Sequence, residues 1–112
     1  MRSIVTVALI CLALGGCATR TSPAPVGDPV EGQKVASDLC SSCHSVGARG
    51  ESPNHKAPPL RTVLSAYPED KLVRDLTDAV HISHLKMPQF FFGETHAADL
   101  VAYLKTIQTQ PE

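Results

Sequence analysis

The sequence has few aromatic residues and no tryptophan: two tyrosines and three phenylalanines occur among its 112 residues. A single domain with so little aromatic surface has a thin core, and a chain of this size usually needs a covalent or metal staple. Cationic runs and basic patches interleaved with aromatics are also missing, and the formal charge at pH 7 is −1. These absences argue against a nucleic-acid-binding protein.

A hydrophobic run long enough to cross a membrane is missing as well. Arg2 precedes an apolar stretch over residues 4–14. This stretch is too short for a comfortable transmembrane helix and is typical of the core of an export signal peptide. It ends in Leu-Gly-Gly-Cys at residues 14–17, which resembles the lipobox of bacterial lipoproteins, where the cysteine is lipidated and becomes the mature N-terminus. An ordinary cleaved signal and a retained signal anchor are the alternatives.

This pattern divides the chain into three segments. Residues 1–16 are predicted to be a lipoprotein signal peptide, and residues 17–28 to be the lipidated Cys17 followed by a flexible linker. Residues 29–112 are predicted to form one folded domain. By resemblance to Gram-negative lipoproteins, Ala18 after the cysteine favours the outer membrane. The predicted location is therefore the periplasmic side, with a lipid anchor in the outer membrane of a Gram-negative bacterium.

Cys40, Cys43 and His44 form a C-x-x-C-H motif, the attachment pattern of c-type haem. Each thiol can form a thioether with a haem vinyl group, and one helical turn spans the two vinyl positions. The imidazole that follows directly then lies against the iron. The count of four cysteines agrees, because Cys11 leaves with the signal peptide and Cys17 takes lipid.

Three other uses of a C-x-x-C pair are open. A thioredoxin-like redox pair needs a βαβ context, whereas the flanks here have helical periodicity. A zinc site needs a second pair of ligands, and the spacing of His81 and His84 fits no common zinc motif. A disulfide in an oxidising compartment is the third. With its helical flanks, the motif favours one covalently attached haem c.

Helical periodicity and start signals predict an all-α domain with three main helices and no strand. The first starts at Asp28 as N-cap, the second begins at Pro68, and the third runs from near Thr95 to Ile107. A shorter turn is expected over residues 60–65. The predicted core faces are Val35, Ala36, Leu39 and Cys40 on the first helix; Leu72, Val73, Leu76 and Val80 on the second; and Ala97, Leu100, Val101, Leu104 and Ile107 on the third, with Tyr103 at its edge.

Two residues of the first helix carry further predictions. Glu31 is placed like the acid of a capping box that starts at Asp28. Gly32 lies inside the helix at a cost of ~1 kcal/mol relative to alanine. A glycine retained at that cost predicts that another helix crosses very close to it.

Met87 is the favoured second axial ligand of the haem iron. It is the only methionine besides Met1 and is followed by Pro88, which pushes it towards an extended conformation. An extended loop lets a thioether reach the iron. Core filling is the alternative role for this methionine. His84 is the main rival ligand, and the remaining candidates are His55, His81 and His96.

Several segments of residues 28–108 together match one known family. They are Gly32 in the first helix, the motif at 40–44, Ala-Pro-Pro-Leu at 57–60, Met87-Pro88, and Asp-Leu-Val-Ala-Tyr-Leu at 99–104. With these segments the chain resembles the class I cytochrome c family. The resemblance implies a small fold of about three main helices and loops around one covalent haem.

The resemblance also implies residue roles. The carbonyl of Pro58 would accept the ring N–H of the axial His44, and Leu60 would pack on the haem. Gly32 would meet Tyr103 where the first and last helices cross. Ala36 departs from the family, because many members carry an aromatic there; looser packing, or refilling by Phe90 or Phe92, is expected.

The function implied is a one-electron carrier with transient redox partners, and no enzymatic activity is expected. The alternatives are a dedicated electron-transfer subunit of a periplasmic dehydrogenase and a haem-based ligand sensor. Because one haem edge must approach the surface, the interfaces with partners should be small and weak. A local basic patch near the cofactor is expected from Arg49, Lys56, Arg61 and Lys86.

Overall fold

The structure is a computed structural model that describes residues 23–78 and 87–109. Within these two ranges all regular structure is helical, which confirms the predicted all-α class. None of the helices in this part of the chain is long and apolar enough to cross a membrane. The elements are α1 (Pro29–Leu39), a 3-10 turn (Leu60–Thr62) that leads into α2 (Val63–Ala66), α3 (Glu69–Thr77) and α4 (Glu94–Ile107).

Helix α1 begins with a side-chain cap. The carboxylate of Asp28 accepts a hydrogen bond from the backbone N–H of Val30 at 2.8 Å, and proline fills the first helical position. The capping-box role predicted for Glu31 is wrong, because its carboxylate pairs with Lys34 at 2.7 Å. The backbone N–H of Asp28 instead donates at 2.7 Å to the buried carboxylate of Asp99 on α4.

Helices α1 and α4 cross at Gly32, as the sequence predicts. A Cβ on this glycine would lie 1.9 Å from the carbonyl oxygen of Asp99 and 2.8 Å from the Cβ of Tyr103. The hydroxyl of Tyr103 then donates at 2.7 Å to the carbonyl of Val46, in the loop after the cysteine motif. The helix crossing therefore holds the C-terminal helix against the segment that carries the site.

The core faces of the helices agree with the prediction except at one position. Leu39, the last residue of α1, is 40% exposed and lines a cavity beside the cysteine motif. Val80 lies outside the described residues. Ala36, where looser packing is expected, is completely buried in the core cluster that includes Tyr103 and Phe92. The buried residues of the predicted faces are Ala36, Cys40, Leu72, Leu76, Ala97, Leu100, Val101, Leu104 and Ile107.

Candidate functional site

The cysteine motif continues the last turn of α1. The backbone N–H of Cys40 donates to the carbonyl of Ala36 at 3.0 Å, which closes the helix. The carbonyl of Cys40 accepts from the backbone N–H groups of Cys43 and His44, at 3.2 and 2.9 Å. This tight turn brings the two cysteines and the histidine to one side of the chain. The cysteines are not joined to each other by a disulfide.

The ring of His44 is buried and lies against a backbone carbonyl. Its Nδ1 lies 2.6 Å from the carbonyl oxygen of Pro58. Because a carbonyl can only accept, the Nδ1 atom carries the proton in this contact. In a neutral imidazole the lone pair is then on Nε2, the nitrogen that can bind a metal ion. The structure thus makes the contact that the resemblance implied for Pro58.

Two cavities, of about 330 Å³ and about 220 Å³, adjoin the cysteine motif. The larger one is walled mainly by apolar side chains of α3, α4 and the 3-10 turn, and the smaller one reaches Cys43. Leu60, the other residue singled out in this segment, lines the larger cavity and is 8% exposed. Four residues line both cavities: Cys40, His44, Met87 and Phe90.

Comparison with known proteins identifies this arrangement. The family model for cytochrome c matches residues 29–108. The chain belongs to the cytochrome c family. It is 32% identical over 102 residues to cytochrome c-552 from Bradyrhizobium diazoefficiens, an alignment that covers 88% of this chain and 92% of that protein. A chain in the crystal structure of SoxXA from P. pantotrophus shares the fold, with a TM-score of 0.56 at 20% identity over 76% of this chain and 85% of that one.

Members of this family carry covalently bound haem c, and the site of this cytochrome fits that group. Two thiols at the right spacing can form the thioethers, while an imidazole and a thioether sulfur from Met87 can bind iron. The apolar walls suit a porphyrin. Among the described residues, no group of three or more His, Cys, Asp or Glu side chains could hold a metal ion by itself.

The environment of Cys40 argues against a thioredoxin-like redox role for the C-x-x-C pair. Burial raises the pKa of its thiol from 9.0 to about 11. An unmodified thiol with this pKa stays protonated at neutral pH, whereas a reactive redox pair needs a thiolate. The cytochrome therefore has a cysteine suited to a stable thioether rather than to exchange chemistry.

The histidines that compete with Met87 divide into two groups. His55 and His96 are exposed, and neither is among the residues that line the two cavities. His81 and His84 lie outside the described residues. Met87 is half-buried and lines both cavities, so the structure brings this candidate to the site.

The scarce aromatic residues are concentrated at the cavity. Tyr67, Phe90 and Phe92 all line the larger one, which is three of the five aromatic residues of the chain. Phe90 and Phe92 pack edge to face with ring centroids 5.9 Å apart. The hydroxyl of Tyr67 donates to the carboxylate of Asp75, and Lys71 lies 4.5 Å above its ring. These aromatics form a wall of the haem cavity, a role that sequence reasoning did not assign to Tyr67.

Arg61, expected in a basic patch at the surface, instead bonds to its own domain. Its guanidinium turns onto the loop after the motif and donates to the carbonyl of Gly50 at 2.7 Å and to the hydroxyl of Ser45 at 3.3 Å. Arg49 and Lys56 are exposed, and Lys86 lies outside the described residues.

Sequence reasoning also missed Gln108, whose side chain forms hydrogen bonds with the backbone of Leu60 and Leu64. No local pattern marks Arg61 or Gln108, because their partners are distant in sequence.

Proposed function

We propose that this cytochrome is a monohaem, one-electron carrier of the bacterial periplasm, tethered to its membrane through a lipid on Cys17. The observation that carries the electron-transfer part is the meeting of Cys40, Cys43, His44 and Met87 around adjoining apolar cavities. When bound, the haem supplies a site at which one electron is accepted and later released. Transient contacts with redox partners suit this role, since turnover requires fast dissociation.

Each side chain of the site has a distinct part in the proposal. Cys40 and Cys43 would hold the haem covalently, and the Nε2 of His44 would bind its iron. The carbonyl of Pro58 fixes the ring and increases its donor strength through the 2.6 Å contact at Nδ1. Met87 would supply a thioether ligand to the iron, which would favour the reduced form and raise the reduction potential. Leu60, which lines the larger cavity, would pack against the haem and help to exclude water.

The tether part of the proposal depends on the N-terminal sequence and on one contact of the fold. A Cβ at Gly27 would lie 2.0 Å from the carbonyl oxygen of Ala98, so the chain is already fixed against α4 at this glycine. Residues 18–26 then remain between the lipidated Cys17 and the domain. Nine residues extend at most about 30 Å, and a flexible linker typically spans roughly half of that. The carrier would work close to its membrane.

Carbon monoxide separates a carrier from a haem sensor. We expect the ferrous protein to keep its Soret band when carbon monoxide is added, because both axial positions are occupied by side chains. The Met87→Ala variant is the positive control, since removal of the thioether opens a position and should give a prompt shift. A prompt shift in the wild type would refute the carrier and favour the sensor.

Replacement of Cys17 by serine tests the lipid anchor. We expect Cys17→Ser to be recovered in the soluble periplasmic fraction, because the proposed anchor is the acyl chains alone. Cys11→Ser is the matched control and should stay with the membranes, as its cysteine lies within the predicted signal peptide. If Cys17→Ser remains membrane-bound to the same extent as the control, lipidation at this residue is wrong.

A further inference from the structure

Two hydrogen bonds close a ring between the segment that carries His44 and the segment that carries its carbonyl acceptor. One joins the Nδ1 of His44 to the carbonyl of Pro58 at 2.6 Å. The other runs from the backbone N–H of Leu60 to the carbonyl of Ser45 at 2.9 Å. Ser45 follows the histidine directly, and Leu60 is two residues after Pro58. A movement of either segment therefore changes the contact at the imidazole.

Arg61 braces this ring on the side of the loop that follows the motif. A single nitrogen, Nη1, donates to the carbonyl of Gly50 at 2.7 Å and to the hydroxyl of Ser45 at 3.3 Å. The same serine donates its backbone N–H to the hydroxyl of Ser52 at 2.9 Å. The residue after the axial histidine is thus held by its carbonyl, its N–H and its side chain.

Gln108 braces the ring from the end of α4. Its Nε2 donates to the carbonyls of Leu60 and Leu104, both at 2.9 Å, and its Oε1 accepts from the backbone N–H of Leu64 at 3.1 Å. The next residue, Thr109, donates its backbone N–H to the carbonyl of Arg61 at 2.9 Å. The two residues that follow α4 therefore fix the segment over residues 60–64 at three points.

We propose that Arg61 and Gln108 are positioning residues that set the hydrogen bond between His44 and Pro58, and through it the reduction potential. The inference rests on the proposed function, in which His44 is an axial ligand. Neither side chain is among the residues that line the two cavities, so both act through the ring. A strong bond at Nδ1 makes the imidazole a better donor, which favours the oxidised form. Substitutions that weaken the hydrogen bond between His44 and Pro58 should therefore raise the reduction potential.

The test compares a substitution that leaves the charge of the protein unchanged with one that removes a positive charge. Gln108→Leu removes three hydrogen bonds without a change of charge, and we expect about a threefold shift towards the reduced form, roughly 30 mV upward. Arg61→Ala should also raise the potential. Loss of a nearby positive charge alone would lower it, because a cation disfavours the oxidised form. The sign of the shift thus separates positioning from simple electrostatics.

Two control variants and a second measurement complete the test. Arg61→Lys keeps the charge and a donor, so its potential should stay near that of the wild type. Arg74→Ala removes an exposed arginine that pairs with Asp70 at 2.8 Å on α3, and it should not raise the potential. Amide hydrogen exchange at Leu60 should become faster in Gln108→Leu and Arg61→Ala but not in Arg74→Ala.

The outcomes are distinct from those that test the proposed function. If the wild type lacks the spectrum of a histidine-ligated haem, the proposed function fails before any variant is compared. If the wild type has that spectrum but Gln108→Leu leaves the potential unchanged or lowers it, the positioning role is overturned. If the Arg61→Ala variant does not acquire haem, the potential of Gln108→Leu alone decides whether the positioning role holds.

Discussion

The residues that build the site differ in how far along the chain their partners lie. The spacing of Cys40, Cys43 and His44 follows from the chemistry of haem attachment, and Pro88 marks Met87 as part of a loop. Asp99 has no such signature, because its carboxylate accepts from the backbone N–H of Asp28, which is 71 positions away in the sequence. For Arg61 the sequence suggests only a surface patch, since it cannot show that the carbonyl of Gly50 and the hydroxyl of Ser45 accept hydrogen bonds from this side chain.

Replacement of Met87 tests the second axial ligand. We expect Met87→Ala to lose the near-infrared absorption band of thioether-ligated iron and to have a lower reduction potential. Both are measured on purified protein, by absorption spectroscopy and by redox titration. His84→Ala is the matched control and should keep the band. If Met87→Ala keeps the band, this methionine is not the ligand; loss of the band in the control alone would implicate His84.

At the scale of elements, start signals and periodicity gave the helices, while their packing needed the structure. Asp28 and Pro29 set the beginning of α1, and the predicted second helix differs in that Pro68 is the N-cap of α3 rather than its first residue. The spacing of Leu39 predicts a position on the core face, whereas the structure leaves it partly exposed at the last position of α1. Helix crossing was predictable only at Gly32, where a glycine inside a helix signals a close neighbour.

Gly32→Ala tests this crossing. The added methyl gains ~1 kcal/mol of helix propensity. The structure places it 1.9 Å from a backbone carbonyl oxygen, however, and overpacking of this kind costs about 1–3 kcal/mol or more. We expect a clear net loss in the free energy of unfolding, measured by urea titration of the haem protein.

Gly47→Ala is the matched control for that measurement. A Cβ on Gly47 would lie 3.7 Å from the nearest neighbouring atom, the carbonyl oxygen of Arg49, which is an ordinary contact. Its free energy of unfolding should change little. Equal stability of Gly32→Ala and Gly47→Ala would mean that α1 and α4 do not approach as closely as the structure shows.

At the scale of the whole molecule, the fold is organised around the cavity. Its walls take most of the few aromatic residues, together with Leu60, Leu72, Leu76, Leu100 and Leu104. The sequence predicted an all-α domain with a thin core that needs a staple, and the structure places the cysteine motif beside the space such a staple would fill. The shape of that space could not be predicted, because it depends on how α3, α4 and the 3-10 turn pack together.

Intact-mass spectrometry tests the central claim most directly. The protein is matured in a bacterium that attaches haem c in its periplasm, and the wild type is compared with a Cys40→Ser, Cys43→Ser double variant. We expect the wild type to exceed the mass of its polypeptide and lipid by one haem, which stays attached after denaturation and extraction with acid and acetone. The double variant should lose it. A colourless wild type with only the mass of polypeptide and lipid would contradict covalent attachment at this motif.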